Sequence, residues 1–255
     1  MGFGMMHGVI WVFLLARIRT LTLCCVGMHA LLCIIPARGG SKRFPKKNIV
    51  LFNGKPLVGI AAEVAKASGV FQTICVSSDD KEILRTGGEY GADYQHTRSE
   101  RLASDHVQLP EVCRDILDSL ASEGKTFDSF AILTPMNPLR STEDILAAEK
   151  LLTTTGADAV ISLATHTHSP RRALAVRENR IRQYFSDENL ETYTKEERLY
   201  YHDAAIVFVR TEPFLKSGKF HGPNVIPYFT PPERSVNIDY PIDLAWAEFL
   251  LKRSS

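Results

Sequence analysis

From residue 31 onward, short apolar runs of strand length alternate with longer amphipathic segments of helical period, and this alternation limits the chain to a sheet whose strands are joined by crossover helices. The runs are LLCIIP (31–36), QTICVSS (72–78), FDSFAILTP (127–135), ADAVISLA (157–164), AAIVFVR (204–210) and ERSVNID (233–239). Pro56 and Gly69 bracket PLVGIAAEVAKAS with the proline-in, glycine-out asymmetry of a helix. LPEVCRDILDSLASEG carries apolar residues at helical spacing and stops at Gly124. Ser141 and Thr142, followed by Glu143 and Asp144, form a helix-start signal ahead of ILAAEKLL, and Pro241 opens PIDLAWAEFLLK. Residues 165–200 are polar, charged and turn-rich, and fit an excursion from the sheet better than a part of its core. The chain contains no repeat and no low-complexity linker, so the pattern predicts one α/β domain with a mostly parallel sheet and a small insertion.

With 255 residues, 45% of them hydrophobic, the chain is large enough to bury a real core, which excludes disorder and a disulfide mini-protein. Lys+Arg 30 against Asp+Glu 29 leaves a formal net charge of +1, so an anionic ligand has to be met by a local cluster rather than a global field. The five cysteines, Cys24, Cys25, Cys33, Cys75 and Cys113, are odd in number and form no C-x-x-C pair, which points to a reducing, cytoplasmic setting. VIWVFLLA (9–16) is stopped by Arg17 and Arg19, well short of the roughly 20 apolar residues of a membrane span. A secretory signal has its positive region ahead of the apolar run, whereas here the first basic residues follow it. The expected organisation is an extension over 1–27, a native start at Met28, and a domain over 28–255.

The chemistry is concentrated directly after the first strand, in PARGGSKRFPKKN (36–48). Open α/β sheets bind ligands beyond the carboxyl ends of their strands, so this loop is in the right place. Gly39 and Gly40 allow close approach of a phosphate to backbone N–H groups, and Ser41 adds a hydroxyl donor. Arg38, Lys42, Arg43, Lys46 and Lys47 place five cations within ten residues, suited to the charge of a triphosphate. The spacing matches neither G-x-x-x-x-G-K-[ST] nor G-x-G-x-x-G.

IPARGGSKRFPKKN resembles the signature IPARGGSK-x-x-P-x-KN of the N-acylneuraminate cytidylyltransferase family, which activates nonulosonic acids with CTP. VSSDDKEI (76–83), RSERLASD (98–105), LTPMNPLRSTEDI (133–145) and PPERSVNIDYPIDLAWAE (231–248) are similar to further motifs of that family, in the same order. The resemblance implies a three-layer, Rossmann-like nucleotidyltransferase fold in which 165–200 is a dimerisation segment. It also implies an Mg²⁺-assisted attack of the acceptor's anomeric hydroxyl on the α-phosphate of CTP, with pyrophosphate leaving. Arg38, Gly39, Gly40, Ser41, Lys42, Lys47 and Asn48 would hold the nucleotide, with Arg38, Lys47 and Asp239 as the catalytic set. Ala103 and Ser104 would meet the cytidine, although Ser104 serves equally well as a turn cap. Thr134, Asn137 and Arg140 would face the acceptor. Asp239, Asn237 and Asp243 would face the metal, with Asn237 standing where the family has a carboxylate; Asp243 is also a natural helix N-terminal charge. Asp203-Ala204 is more reminiscent of the pseudaminic acid branch.

The expected ligands are therefore CTP, a sugar acid and Mg²⁺, with a second copy of the chain as partner and neither nucleic acid nor membrane. Alternative acceptors are pseudaminic, legionaminic or 3-deoxy-octulosonic acid, and a non-catalytic nucleotide-binding homologue is the rival class. His166 and His168 lie two apart but have no evident third ligand, and no Ser-His-Asp nucleophile system is suggested.

Overall fold

The computed structural model describes residues 29–166, 170–185 and 198–254. The expectations for 1–27 and Met28, and for His168, fall outside the described residues.

Strand β1 (Leu31–Pro36) leads through a loop and the hairpin β2 (Leu51–Phe52) and β3 (Lys55–Pro56) into helix α1 (Leu57–Ser68). Next come β4 (Thr73–Ser78), α2 (Lys81–Glu89), β5 (Tyr94–Thr97), the single turn α3 (Glu100–Ala103) and α4 (Leu109–Ser122). They are followed by β6 (Ser129–Ile132), α5 (Thr142–Thr155), β7 (Ala159–Thr165) and the hairpin β8 (Leu174–Arg177) and β9 (Arg180–Gln183). The chain then runs through β10 (Tyr200–Arg210), α6 (Thr211–Ser217), β11 (Val225–Phe229) and α7 (Pro241–Ser254).

Seven strands form one sheet in the order β11-β7-β10-β6-β1-β4-β5. Only β10 runs antiparallel to its neighbours, so the carboxyl ends of β1, β4, β5 and β6 share one edge. The period of two along β1 builds the layers. Leu31, Cys33 and Ile35 face a cluster containing Val58, Ala61, Ile83 and Ile145 from α1, α2 and α5, while Leu32 and Ile34 face Val112, Ile116 and Leu120 of α4 and Phe214 of α6. Each such fully buried Leu, Ile or Phe contributes about 1.5–3 kcal/mol. Burial also pushes the Cys75 thiol up to about 12 and raises Cys33 and Cys113, which leaves all three inert as nucleophiles.

The helix signals are realised in local geometry. Gly69 closes α1 at φ 69, and at the start of α5 the Ser141 hydroxyl accepts from Asp144 N while Asp144 returns a bond to Ser141 N.

One predicted strand is absent: 233–239 forms a 3-10 turn at Pro232–Arg234 and then a loop. The strand of this region is β11, which contains Pro227 and pairs in parallel with β7. A proline is tolerated there because β11 is the outermost strand and one row of its backbone groups needs no partner. In the expected insertion, β8 and β9 pair, among the described residues, only with each other and expose Leu174, Val176 and Ile181.

Candidate active site

The loop after β1 is fixed by bonds from other strands. Ala37 N donates to Ser77 O at 2.9 Å, Gly39 N to Asp79 Oδ1 at 2.8 Å, and Asn48 Nδ2 to Arg38 O at 2.7 Å, which closes the loop on itself. Gly39 is required by proximity: a Cβ there would lie 3.0 Å from Cβ of Asp80, the residue whose carboxylate caps α2. Gly40 has open space around it, so close packing does not explain that residue. Since Gly39 N–H is already committed to Asp79, it is not a free anion donor as the sequence suggested.

The cations of the loop gather on two carboxylates. Arg38 Nη1 and Lys42 Nζ each reach an oxygen of Asp105 at 2.6 Å, while Lys47 Nζ and Arg43 Nη2 reach Asp239 Oδ1 at 2.8 and 3.3 Å. Lys42 and then Arg38 hold the exposed Asp105 carboxyl below the usual carboxylate range. Lys46 points away, toward Glu82 at 3.6 Å. A cleft of about 360 Å³ lies over this array, lined by Arg38, Ser41, Lys42, Arg43, Lys47 and Asn48, with Pro36 and Met136 as its apolar floor. Four cations and two carboxylates at one mouth give a surplus of positive charge that an incoming polyanion can use in place of the carboxylates.

Ala103 is the last residue of α3 and Ser104 its C-cap, with Ser104 N bonded to Arg101 O at 3.3 Å. Through the next residue, Asp105, this segment is tied to the loop.

Asp239 was expected at a strand end but stands in the loop before α7, because 233–239 is not a strand. The site is nevertheless assembled: Ile238 N donates to Met136 O at 2.9 Å, which docks this loop against the one after β6. Asp243 Oδ2 accepts from Asp239 N at 2.9 Å and Tyr240 N at 2.7 Å, so from the first turn of α7 it folds back to cap the amides just before the helix, a role beside that of the helix N-terminal charge that the sequence offers for it. Asn237 Nδ2 lies 3.3 Å from Asp239 Oδ2. Among the described residues no group of three or more His, Cys, Asp or Glu converges to hold a metal. The donor set suits a hard cation that arrives with phosphate oxygens and takes Asp239, and not a cage made by the protein alone.

Thr134, Asn137 and Arg140 share one network. Asn137 is 1% exposed and its Nδ2 donates to Asp203 O at 3.0 Å and Val236 O at 3.3 Å. Arg140 is 5% exposed, and its Nη1 donates to Ala205 O at 2.6 Å and Thr134 O at 3.2 Å. Burial lowers the Arg140 pKa to about 10, still charged at neutral pH. The expectation that these two side chains face an acceptor is corrected to a framework position, since both are buried and Asn137 Nδ2 and Arg140 Nη1 are bonded to carbonyls, while Arg140 Nε is buried without a partner. Thr134 alone of the three lines an open cleft, about 390 Å³ in volume, with Leu109, Ile132, Val207, Phe220 and His202 among its walls. Ala204, at φ 60, lies on the same cleft, within the irregular stretch of β10 between His202 and Val207.

Comparison with known proteins agrees with this geometry. Residues 32–221 match the family described as cytidylyltransferase. The chain is 33% identical over 225 residues to a pseudaminic acid cytidylyltransferase of Campylobacter jejuni, covering 87% of this chain and 96% of the relative. It is 32% identical over 226 residues to a CMP-N,N'-diacetyllegionaminic acid synthase of Legionella pneumophila, covering 87% and 96%. The fold is similar to that of a CMP:2-keto-3-deoxy-manno-octonic acid synthetase solved with CTP, at a TM-score of 0.61 and 16% identity over 89% of this chain and all, 100%, of that one. A loop of cations at the strand ends and a family match spanning three quarters of the sequence agree, and this chain belongs to the cytidylyltransferase family, the nucleotidyltransferases that make CMP-sugars.

Proposed function

We propose that the chain transfers the cytidylyl group of CTP to the anomeric hydroxyl of an N-acylneuraminate-type nonulosonic acid, giving a CMP-sugar and pyrophosphate. The observation that carries this reading is the pairing of Arg38, Lys42, Arg43 and Lys47 on Asp105 and Asp239 at the carboxyl end of β1. The triphosphate takes over these cations, and Asn48, by holding Arg38 O, keeps the loop curved around it. The hydroxyl oxygen attacks the α-phosphorus while Arg38 and Lys47 stabilise the charge that grows on the leaving pyrophosphate. Ser41, Lys42 and Gly40 N–H complete the cradle, and Ala103 and Ser104 border the nucleoside. Mg²⁺, when bound, would take Asp239, with Asn237 and Asp243 next to it, and supply neutralising charge to the phosphates.

Among nonulosonic acids, pseudaminic- and legionaminic-type acceptors are favoured. The cleft beside Thr134 is walled mainly by apolar groups, including Leu109, Pro110, Ile132, Val207 and Phe220, which suits N-acetyl and deoxy substituents better than a fully hydroxylated tail. Relatives at 33% and 32% identity carry the names of these two activities. We read the chain as a homodimer that uses the β8–β9 hairpin, whose exposed Leu174, Val176, Ile181 and the nearby Tyr184 supply an apolar face. The setting is taken to be the cytoplasm; among the described residues no helix is long and apolar enough to cross a membrane.

The deciding experiment measures pyrophosphate release from CTP and Mg²⁺ with N-acetylneuraminic, pseudaminic, legionaminic and 3-deoxy-octulosonic acids. Release with pseudaminic or legionaminic acid is expected. Silence across the panel with CTP binding retained would favour a non-catalytic nucleotide-binding homologue.

A further inference from the structure

Beneath the phosphate loop lies a buried polar chain that the proposed reaction does not use. Ser77, the penultimate residue of β4, is fully buried, and its Oγ accepts from Arg98 Nε at 3.0 Å and lies 3.0 Å from His96 Nδ1. His96, on β5, is buried too, and its Nε2 is 2.9 Å from Asp115 Oδ2 on α4. Proton bookkeeping allows one arrangement of the neutral ring. The ionised Asp115 can only accept, so the single ring proton sits on Nε2 and goes to Asp115, and the bare Nδ1 accepts the hydrogen of the Ser77 hydroxyl, whose oxygen in turn accepts from Arg98. Burial lowers the His96 pKa, with Asp115 opposing, in keeping with a neutral ring.

The chain is a Ser, a His and an Asp in hydrogen-bonding order, yet it is no nucleophile system. Ser77 is shut away from solvent, and its Oγ is engaged by a guanidinium. Its connections run instead to the loop. The Ser77 carbonyl takes Ala37 N, the first amide after β1, and the next carbonyl, Ser78 O, takes Arg98 N at 2.8 Å. Asp79, two residues beyond Ser77 and just past the end of the same strand, holds Gly39 N through its Oδ1 at 2.8 Å. Arg98 is 9% exposed and its Nη2 is buried without a partner, a costly arrangement that a mere packing role would not require.

We propose that Asp115, His96 and Ser77 are positioning residues that fix the Arg98 side chain against the end of β4, where Ser77 O holds Ala37 N and Asp79 holds Gly39 N, and thereby set the shape of the turn that receives the nucleotide. The inference rests on the CTP site proposed above. Removing the relay lets Arg98 and the end of β4 shift and loosens the turn bonded to it, so it weakens nucleotide binding and leaves the acceptor cleft alone.

The test measures CTP affinity by calorimetry and KM for CTP and for the sugar acid in the full chain and three variants. His96→Leu is expected to weaken CTP about tenfold, the size of one lost hydrogen bond to a charged group, and to raise KM for CTP without moving KM for the acceptor. His96→Asn, which retains an acceptor for the Ser77 hydroxyl, should recover most of that loss. Asp115→Ala, at a half-exposed site that does not threaten folding, should weaken CTP by about threefold. Unchanged CTP affinity in Asp115→Ala or in folded His96→Leu would overturn the relay, as would equal loss in both KM values or an Asn variant no better than Leu. If the unaltered chain fails to bind CTP, the nucleotide site itself falls, a result distinct from any of these.

Discussion

Two loops at the same edge of the sheet handle polar residues in opposite ways. Between Arg38 and Asn48 the charged heads project into a cleft and are met across it by Asp105 and Asp239, which come from segments at least 63 and 192 residues away. Between Thr134 and Arg140 the polar groups turn inward: Asn137 Nδ2 and Arg140 Nη1 donate to carbonyls of 203, 236, 134 and 205, and Arg140 Nε is shut away from solvent without a partner. The first loop keeps its hydrogen-bonding capacity for something outside the protein. The second consumes its capacity in holding β10 and the Asp239 loop in place. A polar residue beside a cleft is therefore not a ligand until its donors have been counted.

If this contrast holds, the two loops should fail differently. Arg38→Ala, Lys47→Ala and Asp239→Ala are each expected to lower turnover by about a thousandfold with little loss of thermal stability, read from pyrophosphate release beside a melting curve. Near-normal turnover in any of them would place the reacting phosphate elsewhere. Arg140→Met should do the reverse: two buried carbonyls lose their donor, so unfolding in urea should shift by about 3 kcal/mol, and the remaining activity should scale with the folded fraction. A fully stable Arg140→Met with a raised acceptor KM would return Arg140 to the ligands.

Asp144 sharpens the comparison through pH. It joins the start of α5 to the far loop: Arg234 Nε and Nη2 reach its two oxygens at 2.9 and 2.7 Å, and the Tyr228 hydroxyl donates to it as well. Burial alone would raise its pKa, but Arg234 and Tyr228 outweigh burial and hold the carboxyl below its ordinary value. A depressed folded pKa means a contribution complete above about pH 4 and lost as pH falls through the folded value. Asp144→Asn should cost about 2 kcal/mol at pH 7 and nothing extra in strong acid, checked by urea titrations at both ends. The smallest effect is expected at Ala204, whose φ of 60 is strained for a residue with a Cβ; Ala204→Gly should raise stability by about 1 kcal/mol in the same assay.

Much of this protein could be read without coordinates. The period of two in LLCIIP and the helix caps at Gly69 and Ser141 are local signals, and the structure reproduces them where they were expected. The cation-rich turn was legible for the same reason: glycines and five like charges packed into one short stretch have few uses other than an anion. The strand β11 was hidden by Pro227, which argues against a strand except at an edge, and nothing in a sequence says which strand will be outermost. The stretch 233–239 alternates like a strand over only a few residues, and in the fold it pairs with no other strand but follows a 3-10 turn as a loop.

Sequence by itself determined most of the sheet-and-helix order, short of β11, and the concentration of cations in the loop after β1, since both depend on neighbours a few residues apart. Only the tertiary structure decided which polar groups stay free. It set Asp105 and Asp239 opposite the cations, buried Arg140 among carbonyls, turned Asp243 into a cap and linked Asp115 to Arg98 through His96 and Ser77. A hydrogen bond is satisfied by whichever partner the fold brings within about 3 Å, and that distance is not written along the chain.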